Sequence, residues 1–162
     1  MIIHDVCVLG GSGFVGRHLC QQLVARGYRV TVPTRDRERA KELILLPTAD
    51  VITADVHDSA TLKRLIRGSD AVVNLVGVLH DGEGKASFRQ AHVDLARKVV
   101  EACRQTGVRR LLHMSALPAD PKGPSDYLRS KGASRVTISY DLNRVSKKKR
   151  LKVAIRTGGI RS

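Results

Sequence analysis

Near the N-terminus, between a short aliphatic run and a helical pattern, lies Gly10-Gly11-Ser12-Gly13-Phe14-Val15-Gly16. Three glycines at this spacing weaken a chain unless something must come close to its backbone. Gly10 permits a tight turn, Gly13 lets backbone approach a pyrophosphate, and Gly16 lets the following helix pack near the strand. The helix start around Ser12, Phe14 and Val15 offers free N–H groups and the positive end of the helix dipole to phosphate. Downstream, Thr34-Arg35-Asp36-Arg37 closes the second aliphatic run. In a dinucleotide-binding unit an acid at that tip accepts the adenosine ribose hydroxyl of NAD, whereas a cation receives the 2′-phosphate of NADP. Arg35 sits where a phosphate clamp belongs, and its planar guanidinium suits phosphate oxygens. Arg37 and Arg39 lie close by in the chain. The tip therefore favours NADP(H), while Asp36 leaves a ribose contact and NAD(H) open.

Such a loop works only if strands and helices hold it. Ile3–Leu9 reads as a buried strand, and apolar residues recur at helical spacing from Phe14 to Ala25, with Gly27 as a stop. Arg29–Thr34 is a second strand. Asp36 can cap a helix that ends before Pro47. Val51–Thr53 is a third strand, followed by a helix capped by Asp58 or Ser59 and running through Ile66 to a stop at Gly68. Ala71–Val76 is a fourth strand, His80–Gly84 a glycine-rich loop, 86–105 a long helix stopped by Gly107, and Arg110–Met114 a fifth strand. Strand and helix alternating at this pitch predict an α/β fold: a Rossmann-type doubly wound parallel sheet forming a single three-layer domain.

Composition agrees. The 162 residues are 42% hydrophobic and only 3% aromatic, so the core must rest on aliphatic side chains, as in a covered parallel sheet. Of the net charge of +14, residues 133–162 carry +8 and residues 1–132 carry +6. The excess centres on Lys147-Lys148-Lys149-Arg150, which reads as a solvated surface. With so few aromatics there is no stacking platform for single strands, and nucleic acid is disfavoured as a partner. Cys7, Cys20 and Cys103 are isolated within apolar patterns and read as reduced core thiols of a cytoplasmic protein. The start at Met1 shows no signal-peptide pattern, and no apolar stretch approaches the ~20 residues of a membrane span. The histidines have no metal-ligand spacing. His113 reads as a packed residue and His92 as facing solvent or the fifth strand, so neither is assigned a catalytic role.

With these residues in place the sequence resembles the short-chain dehydrogenase/reductase superfamily, of the extended or atypical kind. The glycine turn has its G-x-x-G-x-x-G form, and Tyr127-Leu-Arg-Ser-Lys131 has its Y-x-x-x-K form. Gly107–Leu117 and Tyr127–Lys131 are similar to stretches of the branch that contains the nucleotide-binding accessory subunit of respiratory complex I. NAD-dependent epimerases and dehydratases belong to the same kinship. The resemblance covers residues 1 to about 132 and implies roles. Asp55 and Val56 would contact adenine; Asn74, Val76 and Gly77 would line the nicotinamide-side ribose. Ser115 would orient a small-molecule substrate through its carbonyl or hydroxyl. Tyr127 would act as general acid/base, with Lys131 favouring its phenolate and holding the ribose. The two are four residues apart and share one helix face.

Residues 133–162 depart from that pattern. Arg135–Tyr140 is β-branched where relatives continue a helix, Leu151–Arg156 reads as a sixth strand, and the relatives' substrate lobe is missing. Two readings follow. One is an NADP(H)-dependent oxidoreductase or epimerase-like core; the other is a non-catalytic NADP(H)-binding module, structural or redox-sensing. The resemblance places the second beside a respiratory complex or membrane surface, peripheral to the inner membrane.

Overall fold

The computed structural model describes residues 2–78, 87–116 and 119–134, together with the backbone of a strand at 152–158. Among these, the strands are β1 (Asp5–Leu9), β2 (Arg29–Thr34), β3 (Ala49–Thr53), β4 (Ala71–Asn74), β5 (Arg110–Ala116) and β6 (Lys152–Gly158). They form one sheet in the order β3-β2-β1-β4-β5-β6. Every neighbouring pair is parallel. The expected doubly wound sheet is thus present. The glycine-rich loop 80–84, the 135–140 segment and the basic run 147–150 lie outside the described residues.

The crossovers follow from sequence. Helix α1 (Phe14–Ala25) matches its expected bounds, and Gly27 leaves it with φ +82°. The segment after β2 is shorter than expected, a 3₁₀ turn at Glu38–Ala40 leading into α2 (Lys41–Ile44). Asp58 starts α3 (Ser59–Ile66) by accepting the Thr61 N–H at 2.7 Å. The long helix expected over 86–105 divides into a π-helical stretch, Arg89–Asp94, and α4 (Leu95–Thr106). A last helix, α5, spans 126–134 and carries Tyr127 and Lys131.

Pleating divides the aliphatic strands between two cores. Val6 and Val8 of β1 join Cys20, Val30, Val32 and Leu43 under α1 and α2. Cys7 and Leu9 point the other way, to Leu62, Ile66, Leu95, Val99 and Leu111 under α3 and α4. Each fully buried aliphatic side chain contributes about 1.5–3 kcal/mol relative to exposure. The two faces clamp β1 between them and hold the turn that follows it. β4 ends two residues short of the expected Val76, because the Asn74 side chain accepts the Val76 N–H at 3.1 Å and turns the chain out of the ladder.

Candidate functional site

The chain winds from β1 outward to β3, then returns to the other side of β1 and winds outward from β4 to β6, so a crevice opens where the order reverses between β1 and β4. The glycine turn forms its floor. Gly10 has φ +80°, and a Cβ there would lie 3.0 Å from the Leu75 backbone. A Cβ on Gly16 would fall 2.3 Å from the Gly10 carbonyl oxygen and 2.6 Å from Gly11 Cα. Both positions are closed to any larger residue. Gly13 caps α1 with no side-chain hydrogen bond, and no acid occupies the helix's first turn. The helix N-terminus therefore faces the crevice with backbone polarity alone, which suits a phosphate.

Above this floor lies a cleft of about 570 Å³ lined by Gly10, Ser12, Gly13, Thr34, Arg35, Asp36, Arg39, Val56, Val76 and Gly77 among others. At the β2 end, the Thr34 hydroxyl donates to the Asp36 carbonyl at 2.8 Å and accepts the Asp36 N–H at 3.2 Å, and it lies 3.4 Å from Ser12 Oγ. This compact turn sets Arg35 outward. The carboxylate of Asp36 is engaged locally: it accepts the Glu38 N–H at 3.0 Å and pairs with Arg39 Nε at 3.5 Å. Arg37 turns away and donates to the Val51 carbonyl at 2.9 Å. Arg35 is exposed and makes no hydrogen bond or ion pair with a described residue.

Other residues picked from the sequence take different places. Phe14 and Val15 are exposed at the head of α1, 74% and 50%, outside the cleft lining. Asp55 accepts the His57 N–H at 3.0 Å and shapes the turn behind Val56. Asn74 is 1% exposed, its amide committed to Val76 and to His113. At the cleft's other end, a Cβ on Gly77 would stand 3.0 Å from Lys131 Nζ and 3.2 Å from His92 Nε2. The glycine thus brings the β4 loop, the π-helical stretch and α5 together.

Tyr127 is half-buried, its ring edge-on to Phe88 and His92 with centroids 6.0 and 5.7 Å away. Lys131 is buried and donates to the Met114 carbonyl at 3.4 Å. Burial lowers its pKa from 10.5 to about 8. Ser115, at the end of β5, is buried, and its Oγ has no hydrogen-bond partner among the described residues. An orphaned hydroxyl of this kind lacks the partner that buried polar groups nearly always have. Ser115 thus ends β5 and Tyr127 and Lys131 share α5, and of the three Lys131 reaches the cleft, beside Gly77.

Sequence reasoning passed over two histidines here. His92 faces neither solvent nor the fifth strand; it is 1% exposed, with Nδ1 2.8 Å from Ser130 Oγ and Nε2 accepting the Val78 N–H at 3.1 Å. Its direction could not be read because a π-helix shifts side chains off the 3.6-residue period. His113 is buried as expected, yet it is hydrogen-bonded at both ring nitrogens. Cys7, Cys20 and Cys103 are buried, and burial raises their thiols to about 12, 11 and 12.

A parallel sheet whose first crossover carries this glycine turn is a dinucleotide-binding Rossmann unit. The chain belongs to the NAD(P)H-binding family, whose model matches residues 10–155. It is 28% identical over 138 residues to the mitochondrial NADH-ubiquinone oxidoreductase 40 kDa subunit of Neurospora crassa, covering 83% of this chain and 36% of that one. To the ceramide reductase of Caulobacter vibrioides it is 31% identical over 133 residues, 82% of this chain and 41% of the reductase. Among solved structures, one described as an NAD-dependent epimerase/dehydratase from Bacillus halodurans superposes with a TM-score of 0.76 at 23% identity, covering 96% of this chain and 70% of that one. The resemblance read from the motifs is borne out, and the chain spans well under half the length of these two curated relatives. No helix among the described residues is long and apolar enough to cross a membrane.

Proposed function

We propose that the chain forms the NADP(H)-binding unit of an oxidoreductase of the short-chain dehydrogenase/reductase type. The observation that carries this reading is the β2 tip. Asp36 accepts the Glu38 N–H and pairs with Arg39, while Arg35 lines the same cleft with its guanidinium unpaired among the described residues, a cation offered to the adenosine ribose. A planar cation there matches a 2′-phosphate, and Arg39, paired with Asp36 in the same lining, offsets that carboxylate's charge. The residues fit the cofactor: the glycine floor admits backbone-close phosphate, and the Ser115 hydroxyl awaits a polar partner.

When bound, the nicotinamide would supply hydride transfer. The chain's own groups would handle the rest. Ser115 Oγ holds the substrate's carbonyl or hydroxyl oxygen, and Tyr127 gives or takes the proton at that oxygen. Lys131, beside Gly77, would hold the ribose. Val56, Val76 and Gly77 shape the cleft along the dinucleotide. The test is NADPH oxidation by the full chain with a panel of ketones and aldehydes. Turnover abolished at least ~100-fold by Tyr127→Phe supports catalysis.

A second reading is favoured by a specific observation: one relative is named as a subunit of NADH-ubiquinone oxidoreductase, and the chain matches about a third of it. On that reading the domain binds NADP(H) as a structural or redox-sensing module at a respiratory complex. Tight NADPH binding without turnover of any carbonyl would select it.

A further inference from the structure

Behind Lys131 a file of buried polar groups runs from β4 through β5 into α5, and its hydrogen bonds have a determined direction. Asn74 Oδ1 accepts the Val76 N–H at 3.1 Å, which orients the amide and leaves Nδ2 to face His113 Nδ1 at 3.2 Å. An amide nitrogen only donates, so Nδ1 of His113 must be the acceptor and Nε2 must carry the ring proton. Nε2–H then donates to Ser134 Oγ at 3.2 Å. The Ser134 hydroxyl in turn donates to the Lys131 carbonyl at 2.8 Å. Asn74, His113 and Ser134 are exposed by 1%, 2% and 0%, so water is no substitute for any link.

The two ends of this file matter. Its β4 end fixes the N–H of Val76, which lines the cleft. Its α5 end fixes the backbone of Lys131, whose Nζ reaches the carbonyl of Met114, the residue after His113, and stands beside Gly77. We propose that His113 is a positioning residue for Lys131, its neutral imidazole locking α5 to the cofactor loop so that the ammonium is presented at the nicotinamide end of the cleft. The proposal deepens the oxidoreductase reading and rests on it for the role of Lys131. A hydrophobic residue of similar size would fill the same space, yet it would leave the Asn74 amide and the Ser134 hydroxyl buried without partners. A file in which every member is satisfied holds one geometry; a broken one lets α5 settle elsewhere.

The experiment is a pH titration of Lys131 in the full chain carrying ¹³C at lysine Cε, the resonance being assigned by its loss in Lys131→Met. NADPH affinity is measured by calorimetry on the same samples. The native midpoint is expected at about 8. In His113→Phe and Ser134→Ala, with circular dichroism unchanged, it rises by about one pH unit as the ammonium gains water. NADPH binding weakens in step, by about tenfold. His113→Gln, whose amide can accept from Asn74 and donate to Ser134, restores both. An unmoved Lys131 midpoint in folded His113→Phe and Ser134→Ala overturns the proposal. Loss of the fold in both variants also overturns it, because the file would then be scaffold alone. Should the native chain fail to bind NADPH, the oxidoreductase reading falls while the Lys131 titration still decides whether His113 sets that side chain's place.

Discussion

Lys131 carries its ammonium into a place that is only 4% exposed, and burial alone brings its pKa from 10.5 to about 8. Between those values the unfolded chain holds a proton that the folded chain has released, so stability rises as pH climbs from about 8 toward 10.5. Below that window the buried charge opposes folding. Lys131→Met is therefore expected to flatten this alkaline limb and to raise stability at neutral pH by on the order of 1 kcal/mol, while weakening dinucleotide binding. Urea midpoints across the pH range check the sign; a steeper alkaline limb in the variant would contradict it. At this scale much of the site was legible. Glycines 10, 13 and 16, Arg35 and the Tyr127/Lys131 pair announce themselves by type and spacing, and the cleft brings Gly10, Gly13, Arg35 and Gly77 together. The engagement of Asp36 with Glu38 and Arg39 was not legible, because an acid after a strand serves a ribose or a helix start equally well. Nor was His113, since an alternating pattern says that a histidine is buried but not what it touches.

Elements were read best where local signals agreed with the tertiary structure. The β2 strand and α1 keep their expected bounds, because β-branched runs, helical spacing and a closing glycine all point one way. The early end of β4, where Asn74 binds the N–H of Val76 two residues on, and the π-helical stretch at 89–94 were beyond reach, because neither leaves a mark on the hydrophobic period. One legible element invites a direct test. Asp58→Ala should remove the Thr61 cap and lower stability by about 1 kcal/mol with NADPH affinity unchanged. Between elements, the β4–β5–α5 file makes a pH prediction of its own. Burial, aided by the charge of Lys131, lowers the His113 pKa from 6.5 to about 4. The stability linked to this group is complete above 6.5 and is lost as pH falls from there through about 4. Asp5, Asp58 and Asp70 are held below the usual carboxylate value of 3.8, so their losses come at more acid pH and leave the window to His113. Thermal midpoints between pH 6.5 and 4 should fall in the native chain and stay nearly level in His113→Gln. An equal fall in both would assign the acid limb to another group.

Across the whole molecule, two aliphatic cores on opposite faces of one parallel sheet hold a crevice at the point where the strand order reverses. That architecture was readable from the alternation of strands and helices alone, since right-handed crossovers leave few other arrangements. The meeting of the β4 loop and α5 at Gly77, which brings Lys131 Nζ to one end of the cleft while Arg35 lies at the other, was not readable from the sequence, because it depends on contacts between distant elements. The chain spans 36% of the fungal subunit and 41% of the bacterial reductase, so substrate choice belongs to experiment. The central claim, an NADP(H) site whose selectivity comes from Arg35, is met most directly by calorimetric titration of the full chain with NADPH and with NADH. The account predicts tighter binding of NADPH, reduced about 10- to 100-fold by Arg35→Ala while NADH binding is unchanged. Equal affinity for the two cofactors, or an Arg35→Ala chain that still prefers NADPH, would contradict it.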